Sequence, residues 1–397
     1  MELPLELVDA ILVNVPGSTD LSRCSLVCKD WRALGQSRLF KSISLRKASK
    51  NPQLLEILRT SSHIPSAIRT IDLNFISLGV VWKYMDVEEL GELVSEILYR
   101  VSSPRSLVLR GPTTDSRITW SELPLGLQSS ITKFMGLGTL EEIEIDGWAF
   151  DVPIHQFFSM LATAPSLRRL RLRHGFSGFF SEDTPEDFSP PVLNLDLLDI
   201  RVDDHLDVDP QVTSDLSQLF QLDAGSKLDL RVWLNTAFWA FGNIGEFLTE
   251  HIAEQVQTLE LTIGLRNNYI YSLSSSANLQ CLTIDGSNSP AAIQFARKTL
   301  ITLPGQSRLR DLNLKFCFYT LPRKQWNEFI QFLAICPGLS SMRRVRFGIQ
   351  TNEAQVEEAN FGLAVLRERG WEATVSVNEG GGAGVKRAFP FYLYSRF

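Results

Sequence analysis

Histidine and cysteine are scarce, five of each in 397 residues. The histidines are scattered, with no HExxH pair or other zinc spacing. No two cysteines form a CxxC, and Cys24, Cys28, Cys281, Cys317 and Cys336 sit in flanks that read as helix and strand interiors. Reduced, buried thiols and no bound metal are the expectation. Nothing approaches eighteen apolar residues in a row, which excludes a conventional membrane span. Met1-Glu2-Leu3-Pro4 offers neither a basic region nor an apolar run, so no secretory leader is expected. No Asn-x-Ser/Thr acceptor occurs, which points the same way. A soluble intracellular protein of the cytoplasm or nucleus is expected.

An excess of positive charge is also missing. Lysine and arginine total 39 against 45 acidic residues, a net charge of −6. That balance lacks the basic footprint of a nucleic-acid binder, so neither nucleic acid nor a membrane is an expected partner. The acidity is local: from Glu182 to Asp209 ten acidic residues face one basic one, Arg201, which leaves the rest of the chain at +3. Hydrophobic residues make up 44% and charged residues 21%, enough apolar material for a large core and too much for wholesale disorder.

Catalytic motifs are absent too. Gly175-Phe176-Ser177-Gly178 begins like a nucleophile elbow, but Phe179 stands where its last glycine belongs, and His174 beside it reads as a strand-end histidine. The run Asp203-Asp204-His205-Leu206-Asp207-Val208-Asp209 gathers oxygen ligands without the glycine and closing glutamate of a calcium loop. Gly380-Gly381-Gly382-Ala383-Gly384 precedes Lys386, but Arg387 replaces the hydroxyl that a phosphate loop needs. That run reads as a flexible link to the aromatic tail Phe389, Phe391, Tyr392 and Tyr394. The expectation is a protein without catalytic residues or cofactors.

What is present is repetition. The pattern apolar, two others, apolar, one other, apolar occurs at Phe40-Ile43-Leu45 and recurs along the chain, with shortened copies at Leu107, Leu228 and Val375. The central apolar positions are Ile43, Ile71, Leu107, Ile143, Leu170, Leu198, Leu228, Leu259, Leu282, Leu312, Val345 and Val375, spaced 23 to 36 residues apart and mostly near thirty. Helical stripes lie between them. Leu90, Val94, Ile97, Leu98 form one and Ile154, Phe157, Phe158, Leu161 another; Ile244, Phe247, Leu248, Ile252 and Trp326, Phe329, Ile330, Leu333 follow. Pro165 and Pro337 stand where a helix should end before the next strand. One strand and one helix per unit predict an α/β leucine-rich-repeat-like solenoid: one curved parallel sheet with outer helices. The alternative is an ordinary doubly wound α/β sheet, against which stands the lack of a glycine-rich phosphate turn.

The first forty residues differ. Pro4 suits a first helical turn, followed by Val8, Ile11, Leu12 and Val15 at helical spacing. Pro16-Gly17 stops that helix, and Ser18, Thr19 and Asp20 offer caps for a second with the stripe Leu21, Cys24, Ser25, Cys28, and Trp31 beyond. Leu3-Pro4-Leu5-Glu6-Leu7, Ile11-Leu12, Leu21, Cys24-Ser25-Leu26-Val27-Cys28-Lys29-Asp30-Trp31 and Leu39-Phe40 together resemble the F-box, in the F-box-like form common in fungal proteins with irregular leucine-rich repeats. The repeats depart from the usual pattern, since Asn or Cys after the strand is mostly absent and only Cys317 stands there clearly. The resemblance implies a helical domain at 1–45, a leucine-rich-repeat-like domain at 46–377 and a link and tail at 378–397. It further implies a substrate-recruiting subunit of a ubiquitin ligase, whose helices bind the Skp adaptor and, through it, cullin, while the repeats hold a client protein of unknown identity. Leu3, Pro4, Ile11, Leu12, Leu21, Leu26, Val27 and Trp31 would make the adaptor contacts or hold the helices that do. Alternatively these residues pack only against the first repeat, and the chain is a repeat scaffold outside any ligase.

Residues between the strand apolars face out of the sheet. Glu141, Glu142, Glu144 and Asp146 should fall opposite Arg168, Arg169, Arg171 and Arg173, with Asp196 and Asp199 beyond Arg168 and Arg171. Such a ladder sets register. Arg173, Arg201 and Arg231 are expected to align as an uncompensated column, with Trp233 two residues on, and to dock an acidic or phosphorylated client.

Overall fold

The computed structural model describes residues 3–15, 17–46, 50–74, 87–111, 119–147, 152–173, 189, 191–202, 221–223, 226–234, 252–263, 271–286, 291–317, 323–350, 359–360 and 362–377. The His174–Phe179 segment, the Asp203–Asp209 run, most of the stripe beginning at Ile244 and the whole tail from 378 lie outside the described residues. The chain divides into two compact units, 1–259 and 260–397.

The first unit opens with three helices, α1 (Leu5–Val13), α2 (Ser18–Cys24) and α3 (Lys29–Leu39). Strand β1 (Ser42–Ser44) follows, then α4 (Asn51–Thr60), α5 (Ile64–Ala67), β2 (Thr70–Asn74), α6 (Val87–Arg100), β3 (Ser106–Arg110) and α7 (Leu125–Met135). The unit continues through β4 (Glu142–Asp146), α8 (Ile154–Ala162), β5 (Arg169–Arg173), β6 (Val192–Leu193), β7 (Leu197–Val202), β8 (Gln221–Leu222) and β9 (Leu228–Leu234). The division between units falls inside β10 (Val256–Ile263). The second unit carries β11 (Cys281–Gly286), α9 (Ala292–Leu300), β12 (Asp311–Cys317), α10 (Arg323–Ile335), β13 (Arg344–Gln350), α11 (Ala364–Glu368) and β14 (Glu372–Val377). All twelve expected strand centres lie in strands.

In the first unit β1-β2-β3-β4-β5-β7-β9 pair side by side, every pair parallel. In the second, β11-β12-β13-β14 do the same. Two short strands that the sequence pattern does not announce, β6 and β8, form a separate parallel pair.

The sequence of β5, Arg-Leu-Arg-Leu-Arg, shows why one face is core and the other polar. Successive side chains point to opposite faces, so Leu170 and Leu172 are buried while the arginines are half-buried. The register stacks Leu107, Ile143, Leu170, Leu198 and Leu230 in one buried row. Helical stripes complete this core: Leu90, Val94, Ile97 and Leu98 of α6 are buried, as are Phe157, Phe158 and Leu161 of α8. The second unit is built the same way around larger rings. Trp326 of α10 meets Phe347 of β13 edge-on at 4.9 Å between ring centroids, and Phe316 meets Phe329 at 5.8 Å. Just past α10, Gly338 allows a close approach: a Cβ there would lie 2.5 Å from the Leu303 Cβ.

The N-terminal helices correct three expectations. The buried stripe of α1 is only Val8 and Leu12, and Ile11 is exposed. The second stripe ends early, because α2 stops at Cys24 and Cys28 is the exposed N-cap residue of α3. Trp31 therefore belongs to a third helix. That helix carries little apolar periodicity; its buried residue is Gly35, whose missing side chain lets α3 cross α2 with a virtual Cβ 3.2 Å from the Ser25 Cβ. The expectation of buried thiols holds for Cys336, which donates to the Leu300 carbonyl at 3.7 Å and whose pKa burial pushes up. It fails for Cys28, the exposed N-cap residue of α3, and holds only in part for Cys24 and Cys281, which are half-buried.

Candidate functional site

Across β4, β5 and β7 the polar face of the first unit's sheet carries a ladder of opposite charges. Glu142 pairs in register with Arg169, Glu144 with Arg171, and Asp146 with Arg173, and Asp199 follows Arg171. The Arg171 guanidinium lies 2.8 Å from Glu142 and 3.3 Å from Glu144. Arg173 reaches Glu144 at 3.1 Å and Asp199 at 3.3 Å. Glu144 and Asp199 are buried beneath these arginines, Asp199 at 2% exposure. Desolvating a carboxylate is costly unless it is paired, so the ladder is built as alternating partners rather than scattered surface charges. Toward β1 the same face holds a second cluster: Ser44 donates to Asp72 at 2.9 Å, with Arg110 at 3.4 Å and Arg46 at 3.6 Å from its carboxylate.

The arginine column requires correction. Arg173 aligns with Arg201, but the next residue across is Trp233, while Arg231 stands beside Asp199 one pleat away. Arg231 is two residues out of the expected register because Leu230 and Val232, not Leu228 and Leu230, pair with Leu198 and Ile200. Nor is the column uncompensated. Arg173 is held as above, and Arg201 lies 3.5 Å from Asp199 with its guanidinium 5.0 Å from the Trp233 ring centroid. What remains outward on β9 is an exposed Arg231 and a half-buried Trp233 stacked on Arg201.

The N-terminal helices present the opposite chemistry. Leu3, Leu5, Leu7, Ile11 and Val13 are exposed, although α1 buries Val8 and Leu12. Pro4, Leu7 and Ile11 fall on one helix face by their spacing. In the turn after α2, whose backbone is fixed by Leu26 N–H to the Arg23 carbonyl and Val27 N–H to the Cys24 carbonyl, Leu26 is 74% and Val27 65% exposed. Leu21 and Trp31 are half-buried, and Leu12 at 1% exposure supports the helices from within. Arg38 of α3 anchors α1 through Asp9, donating to its carboxylate at 2.7 and 3.1 Å. Seven large apolar side chains left in water by a unit this small form a surface made for a partner. Residues 1–46 match the F-box-like family. No curated protein matches the chain.

In the F-box-like domain, then, the candidates separate into two groups. Leu3, Pro4, Ile11, Leu26 and Val27 are exposed and available for contact, whereas Leu12 is internal and Leu21 and Trp31 lie between. Leu5, Leu7 and Val13 are equally exposed and extend the apolar surface beyond the expected residues. Their signal is in the sequence all the same: Leu-Glu-Leu-Val-Asp-Ala-Ile-Leu-Val is apolar on more sides than one core can use. No helix among the described residues is long and apolar enough to cross a membrane.

Proposed function

We propose that this protein is a non-catalytic, substrate-recruiting subunit of a Skp–cullin–F-box type ubiquitin ligase. The observation that carries this reading is the exposed apolar set Leu3, Leu7, Ile11, Leu26 and Val27 within the residues that match the F-box-like family. F-box domains bind the Skp adaptor, and an apolar helix-and-turn surface suits a groove-type contact with it. The parallel strand–helix units that follow act, in this reading, as a leucine-rich-repeat-type platform for a client protein. Arg231 and the Arg201–Trp233 pair are the client-facing groups on β9, with Arg173 holding the ladder behind them. Ubiquitin transfer is left to partner proteins in the cytoplasm or nucleus.

Affinity purification of the intact protein tests this. An Skp adaptor and a cullin should co-purify, and both should disappear when Leu26 and Val27 are changed to aspartate. Recovery of the protein without either partner would leave a binding scaffold with no ligase role.

A further inference from the structure

The row of residues just before the strands of the first unit opens with three cations, Lys41, Arg69 and Arg105, ahead of Glu141. Lys41 and Arg69 are neighbours there, the Arg69 N–H donating to the Lys41 carbonyl at 2.8 Å. Arg105 comes next, with its N–H on the Arg69 carbonyl at 2.7 Å, and among the described residues only Arg105 of the three meets a carboxylate, Glu141 at 3.6 Å. Like charges side by side on adjacent strands are destabilising. Lys41 and Arg69 also line a cavity of about 480 Å³ at the seam between α3 and α5.

The lining carries more positive than negative charge, with Arg38, Lys41 and Arg69 against one acid. Asp9 is the one carboxylate among the lining residues, and Arg38 already occupies it. Lys41 is an exposed residue with no ion pair among the described residues, and Arg69 spends one N–H on the Ser103 carbonyl at 2.9 Å. Ser37, His63 and Ser66 complete the lining, with His63 Nε2 2.9 Å from the Gln36 amide oxygen and the Ser66 hydroxyl donating to the His63 carbonyl at 3.0 Å. We propose that this cleft binds a small phosphate-bearing anion. A guanidinium and an ammonium are the usual phosphate partners. The cavity is of small-ligand size and larger than one phosphate ion needs, so a phosphate ester or polyphosphate fits it. Bound there, the anion would tie α3 of the F-box-like domain to the start of the sheet. This inference does not depend on the ligase reading.

Titration calorimetry of the full chain with sodium tripolyphosphate, and separately with inorganic phosphate, at matched ionic strength tests it. One equivalent of tripolyphosphate should bind and raise the melting temperature. Lys41→Gln, at an exposed position that leaves folding intact, should weaken binding tenfold or more; Arg69→Gln should do the same, and Lys324→Gln on α10 should change nothing. Tripolyphosphate binding tighter than phosphate indicates a polyphosphorylated ligand, and equal binding indicates free phosphate; both support the site. No binding of either probe, or equal binding by wild type and Lys41→Gln, overturns it. A glutamate-rich peptide that binds more tightly than tripolyphosphate and loses as much in Lys41→Gln would overturn the small-ligand assignment.

Discussion

Arg173 donates from Nη2 to Oδ2 of Asp199, 3.3 Å away on the adjacent strand. Its Nη1 simultaneously serves Glu144 at 3.1 Å, so one side chain compensates two buried carboxylates. Arg173→Ala should therefore cost about 2–3 kcal/mol in urea denaturation, since each acid loses a partner and little water replaces it. Arg173→Lys should recover only part of this, because a point charge on a flexible stem cannot fork between two strands.

Charge reversal one row inward should be worse. Arg171→Glu would set a third carboxylate against Glu142 and Glu144 and next to Asp199. We expect a loss of about 3 kcal/mol, of which high salt restores less than half, because Glu144 and Asp199 lie beyond effective screening. Full recovery in salt would mean the ladder behaves as ordinary exposed charge.

Gly338→Ala probes packing in the second unit. The added methyl would meet the Leu303 Cβ at 2.5 Å and the Leu303 carbonyl oxygen at 3.1 Å. Backbone must shift to admit it, so a loss of about 1–3 kcal/mol is expected in thermal melts. Gly305→Ala, where no atom lies within 4 Å of the new methyl, is the control that should change little.

Glu96 joins two helices: it accepts from Arg59 of α4 at 2.6 Å and from Arg100 of its own helix at 3.0 Å. The Arg59 hydrogen bond is the main cause holding the Glu96 carboxyl below the usual range. A carboxyl depressed in the folded state contributes stability above its unfolded pKa and loses it as pH falls through the folded value. Carboxyl titration by NMR should show Glu96 protonating below the ordinary glutamate range, and Arg59→Ala should raise its pKa toward the ordinary value. An unmoved Glu96 in that variant would remove the bridge from the account.

Much of this architecture is legible in the sequence, and the reason is periodicity. Apolar triplets such as Leu167-Leu170-Leu172 recur near every thirtieth residue, and the intervening stripes of α6, α8 and α10 keep helical spacing. The ladder was legible because parallel, in-register strands convert sequence offsets directly into neighbours: Glu144, Arg171 and Asp199 stand in one row as their positions in the repeat imply. Where a repeat is abbreviated that conversion slips, which is how Arg231 came to be placed beside Arg201 instead of Trp233. The helix α3 was missed because its packing residue is a glycine, invisible to any hydrophobic pattern. The exposure of Leu26 and Val27 was likewise hidden: pattern tells which residues are apolar, and only tertiary structure tells which of them the chain leaves uncovered.

That uncovered surface carries the central claim. Leu12→Asp cannot test it, because Leu12 is 1% exposed and a charge there would unfold the helices. The direct measurement is the dissociation constant of the full-length protein for a purified Skp adaptor, compared with a Leu26→Asp/Val27→Asp variant whose melting temperature is unchanged. Truncating or charging a contact centre typically costs about 2–4 kcal/mol, so the variant should bind about a hundredfold more weakly or worse. Equal affinity of the two folded proteins, or no measurable binding by the wild type, would contradict the account.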